Sequence, residues 1–469
     1  MNKVKPVTVS FSLRDGCPVN VALRMRKLKL AATALGAGWA LLCQAQTIPS
    51  ALPIDLATAL RLAGAQNLDV QIAREKLSEA KANHESARAQ FSPWISPGIG
   101  YRRHDGNIQD VAGGIIDTSK QSYTIGGTVT AQVELGETYF KTLATKQLQI
   151  AAGHALEAQR QDAVLAAAQG YFDLLKAQAA VGVARESLNI AQDYAKQLAQ
   201  AVQAGIAFKG DALRAQVQAE RSQLALRQAQ EQQRLAAARL AQTLHLDATV
   251  ELVPTAAELA PLALVPAHSA LDSLVAQALA ARPELKQSAS LVAAARKTKD
   301  GAVLGPLVPT VGAQLFLGGL GGGRNGSTGN FGDSEDFLFG LSWRIGPGGL
   351  FDGARQRGST ARLNLAKLGN EKLRDEIIRQ VVEGHTRTQS LADQLATAQR
   401  ALAAAEETLR LTRERKEFAV GIVLENIQAE QELTRARHDY LGLIAEHNKA
   451  QYGLIKAIGS PGSAAAKAK

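Results

Sequence analysis

The chain carries eight histidines and two cysteines, the residue types from which metal sites and nucleophiles are most often built. Their spacing builds neither. His438 and His447 lie nine positions apart, with no His-Glu-x-x-His arrangement that would set two imidazoles and a base on one helix face. His447 instead keeps step with an apolar stripe, so a packed imidazole is expected. Asp211 and Asp352 stand alone beside glycines, where a turn or a helix start gives a carboxylate full employment. The run "GGLGGGRNGSTGNFG" has the glycines to cradle a phosphate, yet no Gly-Lys-Ser/Thr follows and no helix opens directly after it. A hairpin loop accounts for it better. No Gly-x-Ser-x-Gly nucleophile motif is present. The reactive residue types therefore point away from catalysis, and no cofactor and no metal are expected.

The elements that hold these residues are mostly helices. Leu174, Ala177, Val181, Ala184, Leu188, Ala191, Ala195, Leu198 and Val202 recur at strict three-and-four spacing. So do Leu391, Leu395, Ala398, Leu402, Ala405, Leu409 and Thr412, and later Leu433, Ala436, Tyr440, Leu443, His447, Ala450 and Leu454. Alternating large and small knobs suit closely packed helices. Leu135 to Ala204 and Leu350 to Val420 each offer about 70 proline-free residues, or roughly 100 Å of helix at 1.5 Å per residue. That length far exceeds an ordinary globular domain.

Before each long helix the period changes to two. Ile95, Ile99 and Tyr101 alternate with Ser96, Gly98, Gly100 and Arg102, and Tyr123, Ile125, Val129, Ala131 and Val133 with Ser122, Thr124, Thr128, Thr130 and Gln132. Val311, Ala313, Leu315 and Leu317 alternate with Thr310, Gly312, Gln314 and Phe316, and Phe337, Phe339, Leu341 and Trp343 with Leu338, Gly340, Ser342 and Arg344. These predict four strands of about 7–12 residues, joined as hairpins by loops over Arg102–Gln121 and Gly318–Asp336. A soluble sheet over a core and a membrane barrel with lipid outside both give this alternation. Four strands cannot close a barrel, and lipid forbids an open edge, so membrane strands here would require several copies of the chain.

The landmarks occur twice in one order. Pro93 to Gly205 is 112 residues and Pro309 to Gly421 is also 112, a coincidence that shared alanine-rich texture does not produce. We read residues 46–260 as a first structural repeat and 261–459 as a second, with Asp247 to His268, carrying Pro254, Pro261 and Pro266, as the linker. Residues 460–469 are small and polar and are expected to be disordered.

The formal charge is +10, but seven Lys/Arg and one Asp fall in the first 45 residues, and the remainder holds 46 basic against 42 acidic residues. No basic patch interleaved with aromatics remains, so nucleic acid is not an expected partner. Arg24, Arg26, Lys27 and Lys29 precede an apolar run to Cys43 and a Cys43-Gln44-Ala45 cleavage pattern. Residues 1–45 thus resemble a secretory signal peptide, and a start at Met25 would give one of ordinary length. Both cysteines, Cys17 and Cys43, precede the cut; Leu42 is a poor neighbour for lipidation of Cys43.

Taken in order, "LATALRLAGAQNLDVQIAREKL", "YFDLLKAQAAVGVARESLNIAQ", "GIAFKGDALRAQVQAERSQLALRQAQ", "GGLFDGARQRGSTARLNLAKL" and "VGIVLENIQAEQELTRARHDYLGLIAEHNKAQYGLIKAIG" resemble the TolC-like outer-membrane efflux proteins from Leu52 to Gly459. That resemblance implies a mainly α fold with membrane β: a duplicated strand–helix repeat which, as a homotrimer, forms a 12-stranded outer-membrane β-barrel continuous with a long periplasmic α-helical barrel. It implies an exit duct of a tripartite efflux pump or type I secretion system, with outer-membrane lipid, a periplasmic adaptor and an inner-membrane transporter as partners and no chemistry of its own. In that family the hairpin tips carry a Val-Gly-Leu-like turn that meets the adaptor. The matching positions are Ala204, Gly205 and Ile206, and Val420, Gly421 and Ile422. Acidic side chains beyond the turn narrow the closed entrance; Asp211 matches in the first half and Glu425 and Gln428 in the second. From Gly421 to Ala429 is eight residues against ten from Gly205 to Ala215, so the second tip is expected to be shorter. The other reading of the same residues is a secreted coiled-coil tether whose strands form a soluble sheet.

Overall fold

In the computed structural model, residues 52–247, 250–256, 258–266, 269–324, 329–417 and 423–459 are described. The proposed signal peptide, the second-half turn residues Val420, Gly421 and Ile422, and the 460–469 tail lie outside them. After a short strand β1 (Leu52–Ile54), Asp55 is extended and its carboxylate accepts from the Thr58 amide at 3.2 Å, which starts α1 (Leu56–Gln66). Asn67 then ends α1 and caps α2 (Leu68–Ala89), its Oδ1 accepting from the Asp69 amide at 2.9 Å. A hairpin, β2 (Trp94–Gln109) and β3 (Ile115–Glu134), leads without a break into α3 (Leu135–Gln203), which turns into α4 (Lys209–Leu244). The second pass repeats the order: β4 (Leu252–Pro254), α5 (Leu271–Ala281), α6 (Pro283–Leu304), a 3-10 turn (Gly305–Leu307), β5 (Thr310–Arg324), β6 (Phe331–Ser342), α7 (Gly353–Glu417) and α8 (Val423–Ala457).

Corresponding pieces do corresponding work. Asn67 Nδ2 donates to the Thr243 carbonyl at the end of α4 (2.8 Å), and Arg282 donates to the Lys456 carbonyl at the end of α8 (3.0 Å). Ala63 and Ala278, one on each first short helix, have no exposed surface. Gly170 brings α3 against Leu240 of α4, and Gly384 brings α7 against Leu454 of α8. Small residues at the crossing let the helices of each hairpin approach closely.

The core lies where both repeats meet. Ile54, Tyr171, Phe172, Leu240, Leu244, Ile377, Val381, Ile444 and Leu454 share one buried cluster, each large apolar side chain contributing roughly 1.5–3 kcal/mol. Parallel pairing of β1 with β4 (Leu52 with Leu252, Ile54 with Pro254) joins the start of the chain to the linker. The linker itself is clasped by α8. Asn448, with no exposed surface, accepts from the Leu262 amide (2.8 Å) and donates to the Ala260 carbonyl (2.9 Å), and Gln451 accepts from the Val265 amide (3.0 Å). Three cations on α8, Arg437, Lys449 and Lys456, meet Glu186, Asp173 and Asp162 on α3.

The sheet corrects the predicted strand lengths. Its strands run 16, 20, 15 and 12 residues, and the predicted loops are largely strand. Only residues 110–114 separate β2 from β3; Asp110 Oδ1 accepts from the Ala112 (3.0 Å) and Gly114 (2.7 Å) amides to close that turn. The glycine run extends β5 because glycine offers the ladder the same N–H and C=O as any residue. Aromatic rings lie over the bare backbone instead: Tyr123 over Gly321, Phe331 over Gly319, and Phe316 over Gly126 and Gly318. Tyr123 and Phe331 are stacked, with centroids 5.9 Å apart. Trp343 lies just past β6, its indole N–H donating to the Leu307 carbonyl at 3.3 Å.

Candidate functional site

The first hairpin tip is built by a left-handed residue. Gly205 sits at φ +73, its amide donating to Val202 O (3.0 Å), while the Ile206 amide donates to Ala201 O (2.8 Å). This pair of bonds closes the end of α3 after Ala204 and reverses the chain. Phe208, extended, opens α4, and its ring lies over Gly210. The tip presents apolar surface: Ile206 is 83% exposed and Phe208 75%. Leu213, Val217 and Leu224 on α4 are exposed as well, so apolar surface continues from the tip along that helix.

Behind the tip, Tyr194, Leu198, Ala215 and Ile427 form a small buried cluster, with Val423 and Ala207 packed against it. The start of α8 is thereby fixed to the first hairpin. A polar group is enclosed here. Glu430 is buried, its carboxylate 3.8 Å from Arg413, and Asn426 donates to it at 3.4 Å. Burial pushes the Tyr194 hydroxyl up to about 12, with the carboxylates of Glu430 and Asp211 adding to the effect. Asp211 also pairs with Arg214 at 3.2 Å. Glu425 pairs instead with Arg415 at 3.4 Å, and Gln428 is exposed. Five residues separate α7 from α8, as five separate α3 from α4. The expected shorter second tip falls on residues 418–422, outside those described, while the eight-residue spacing from Gly421 to Ala429 against ten from Gly205 to Ala215 stands in the sequence.

Sequence reasoning passed over Tyr194, Arg413, Asn426 and Glu430. The signal was present, because Glu430 falls on the stripe that runs from Val423 through Ile427 to Leu433. A carboxylate at such a position must find partners. Asp352 serves the helix start expected of it: one oxygen accepts from the Arg355 amide and the other from Gly348, both at 2.9 Å. His447 is buried on its stripe, and burial lowers its pKa, with Asn448 opposing. Among the described residues, no group of three or more His, Cys, Asp and Glu side chains is placed to hold a metal ion.

At the other end the four strands pair in the order β2–β3–β5–β6, all antiparallel. One face is a ladder of apolar residues, as in Ile95–Val129–Leu315–Phe337 and Val133–Val311–Leu341. Ile95, Ile99, Phe337 and Phe339 on that face are exposed. The opposite face carries Ser96, Thr124, Thr128, Thr130, Gln132 and Gln314, with Trp94, Ile108, Ile116, Phe316, Leu320 and Leu338 as apolar exceptions. Among the described residues β2 and β6 each have one neighbouring strand, so each leaves a bare edge. No helix among the described residues is long and apolar enough to cross a membrane.

Comparison with known proteins agrees with this architecture. A crystal structure of a membrane protein from Pseudomonas aeruginosa is similar at 19% identity and TM-score 0.73, covering 86% of this chain and 93% of that one. The Campylobacter jejuni CmeC outer membrane channel is similar at 15% identity and TM-score 0.74, covering 87% and 86%. The open state of the Neisseria gonorrhoeae MtrE outer membrane channel is similar at 16% identity and TM-score 0.69, covering 87% and 89%. At these identities the likeness establishes the fold. No curated protein matched the sequence. The family model described as "outer membrane efflux protein" matches residues 59–244 and 274–460, one segment for each pass of the repeated element order, and the chain belongs to that family.

Proposed function

We propose that three copies of the chain close a 12-stranded outer-membrane β-barrel, four strands from each, continuous with a periplasmic tube of long helices. The observation that carries this reading is the sheet itself. It has a lipid-suited face, two bare edges, and a direct junction from β3 into a helix of 69 residues, roughly 100 Å long. A bare edge is untenable in lipid, and a ring of three such sheets removes every edge. Such a trimer is a passive exit duct in a tripartite efflux pump or a type I secretion system. A periplasmic adaptor, coupled to an inner-membrane transporter, docks on the tips at Ala204–Ile206 and at Val420, Gly421 and Ile422. Asp211, Glu425 and Gln428 stand at the periplasmic entrance.

The test is fractionation followed by unboiled electrophoresis. The chain should be found in outer membranes as a species of three copies that falls to monomer on boiling. Recovery as a soluble periplasmic monomer would overturn the proposal.

A further inference from the structure

The two bare edges of the sheet carry opposite charge. On β2, Arg102 and Arg103 stand together, with Ser122 and Gln121 as their partners on β3. On β6, Asp333, Glu335 and Asp336 stand within four positions, and their partners on β5 are Gly319, Leu317 and Phe316. No cation of the chain pairs with these three carboxylates among the described residues. Arg103 is 2.8 Å from Asp105 on its own strand. An edge residue with charge and no partner inside the chain is suited to a partner across the edge.

Resting on the trimer proposed above, we infer that the seam between copies is set by two ion pairs, one on each face: Arg102 of one copy with Asp336 of the next, and Arg103 with Glu335. The second occupant of the edge is thus another copy of this chain, held in one register.

The register follows from the stagger within one copy. Crossing the sheet along its hydrogen bonds leads from Trp94 to Thr130, Gln314 and Leu338. The helix-side ends of the same strands are Trp94, Glu134, Thr310 and Ser342. Three strand-to-strand steps therefore climb four residues, from Ser342 to Leu338. A fourth step at that pace climbs to about five or six residues above Trp94 on the neighbouring copy, in the manner that barrel tilt and stagger are linked. Side-chain alternation must also match across the seam, which requires an even step. Six residues place Leu338 opposite Gly100. Phe337 then meets Tyr101 and Phe339 meets Ile99 on the apolar face, while Glu335 meets Arg103 and Asp336 meets Arg102.

Neighbouring registers lose this match. A slip of two one way sets Glu335 against Asp105 and buries Phe337 against Arg103. A slip of two the other way leaves Glu335 against Tyr101 and Asp336 against Gly100. In the inferred register Arg103 answers both Asp105 and Glu335, while Asp333 falls directly opposite Asp105, a like-charge contact that opposes the two ion pairs.

The experiment uses the full chain in outer membranes and reads the temperature at which the unboiled oligomer dissociates. Arg102→Glu with Arg103→Glu should lower it by several degrees, and so should Glu335→Arg with Asp336→Arg. Combining all four substitutions should recover most of the loss. In parallel, Tyr101→Cys with Phe337→Cys should form a disulfide between copies, whereas Ile99→Cys with Phe337→Cys should not. A wild-type monomer overturns the trimer and this inference together. A wild-type trimer with no recovery in the swapped variant, or with the disulfide forming at position 99 and not at 101, overturns the register alone.

Discussion

Gly136 and Gly182 lie on the same helix, α3, and the same change at both should move stability in opposite directions. Alanine in place of glycine inside a helix adds about 0.5–1 kcal/mol, because the unfolded chain loses freedom and the helix gains a better former. At Gly182 nothing lies within 4 Å of an added methyl, so that gain should be kept. At Gly136 the methyl would fall 2.9 Å from Gly305 Cα, and nearer still to its carbonyl oxygen. Ordinary contact begins near 3.4 Å, and both neighbours are main chain, so the start of α3 and the 3-10 turn must part by roughly half an ångström or more. Forcing a methyl into such a contact costs about 1–3 kcal/mol. The net loss for Gly136→Ala is then roughly 0.5–2 kcal/mol, against a gain of about 0.5–1 kcal/mol for Gly182→Ala. Thermal unfolding followed by circular dichroism, at one protein concentration in one detergent, should place the variants on opposite sides of the wild type. Midpoints that rise together, or a Gly136→Ala midpoint at or above that of the wild type, would refute the close approach of α3 and the turn.

Three further expectations rest on other parts of the molecule. Ile206→Asp should abolish cross-linking to the adaptor while leaving the unboiled oligomer intact, since a side chain 83% exposed contributes little to folding; retained cross-linking would remove the tip from the docking surface. Asn448→Ala should cost roughly 2–4 kcal/mol and open the linker around Leu262 to protease, because one Leu262 amide and one Ala260 carbonyl lose their partner together; an unchanged digestion pattern would show that the clasp is dispensable. His447→Leu should flatten the acid limb of the stability curve. Burial lowers the His447 pKa below its ordinary 6.5, so its contribution is present above 6.5 and is lost as pH falls through the folded value; equal acid sensitivity in variant and wild type would exclude His447 as a source.

The helices were legible because their stripes are long. Nine residues from Leu174 to Val202 at one spacing leave no other period to fit, and the resulting helix ends one residue from the predicted limit. The strands were legible only where side chains alternate. From Gly318 to Arg324 five of seven residues are glycine, so the period vanishes although the backbone ladder continues. Register information there sits in Tyr123, Phe316 and Phe331, whose rings occupy the space above glycines on neighbouring strands. The β1–β4 pair was invisible for a different reason: each strand is three residues long, and its pairing depends on where α1 and α4 carry the chain. Asn448 and Gln451 carry no local signal either, since their partners are 186 residues away. At the tip, Gly205 announced its turn, but the effect of the Glu430 charge on Tyr194 required knowing which helices lie side by side.

The clasp on the linker also sets an order in time. A chain emerges from its N-terminus, and the segment from Ala260 to Val265 is complete long before Asn448 and Gln451 exist to hold it. The first pass of the repeated element order can form its helices early but cannot finish its middle, because closure waits on the last helix of the same polypeptide. Contacts of such span are slow to make. A chain cut short before α8 should therefore leave the linker open to proteases, so completeness of the polypeptide is checked by its own core.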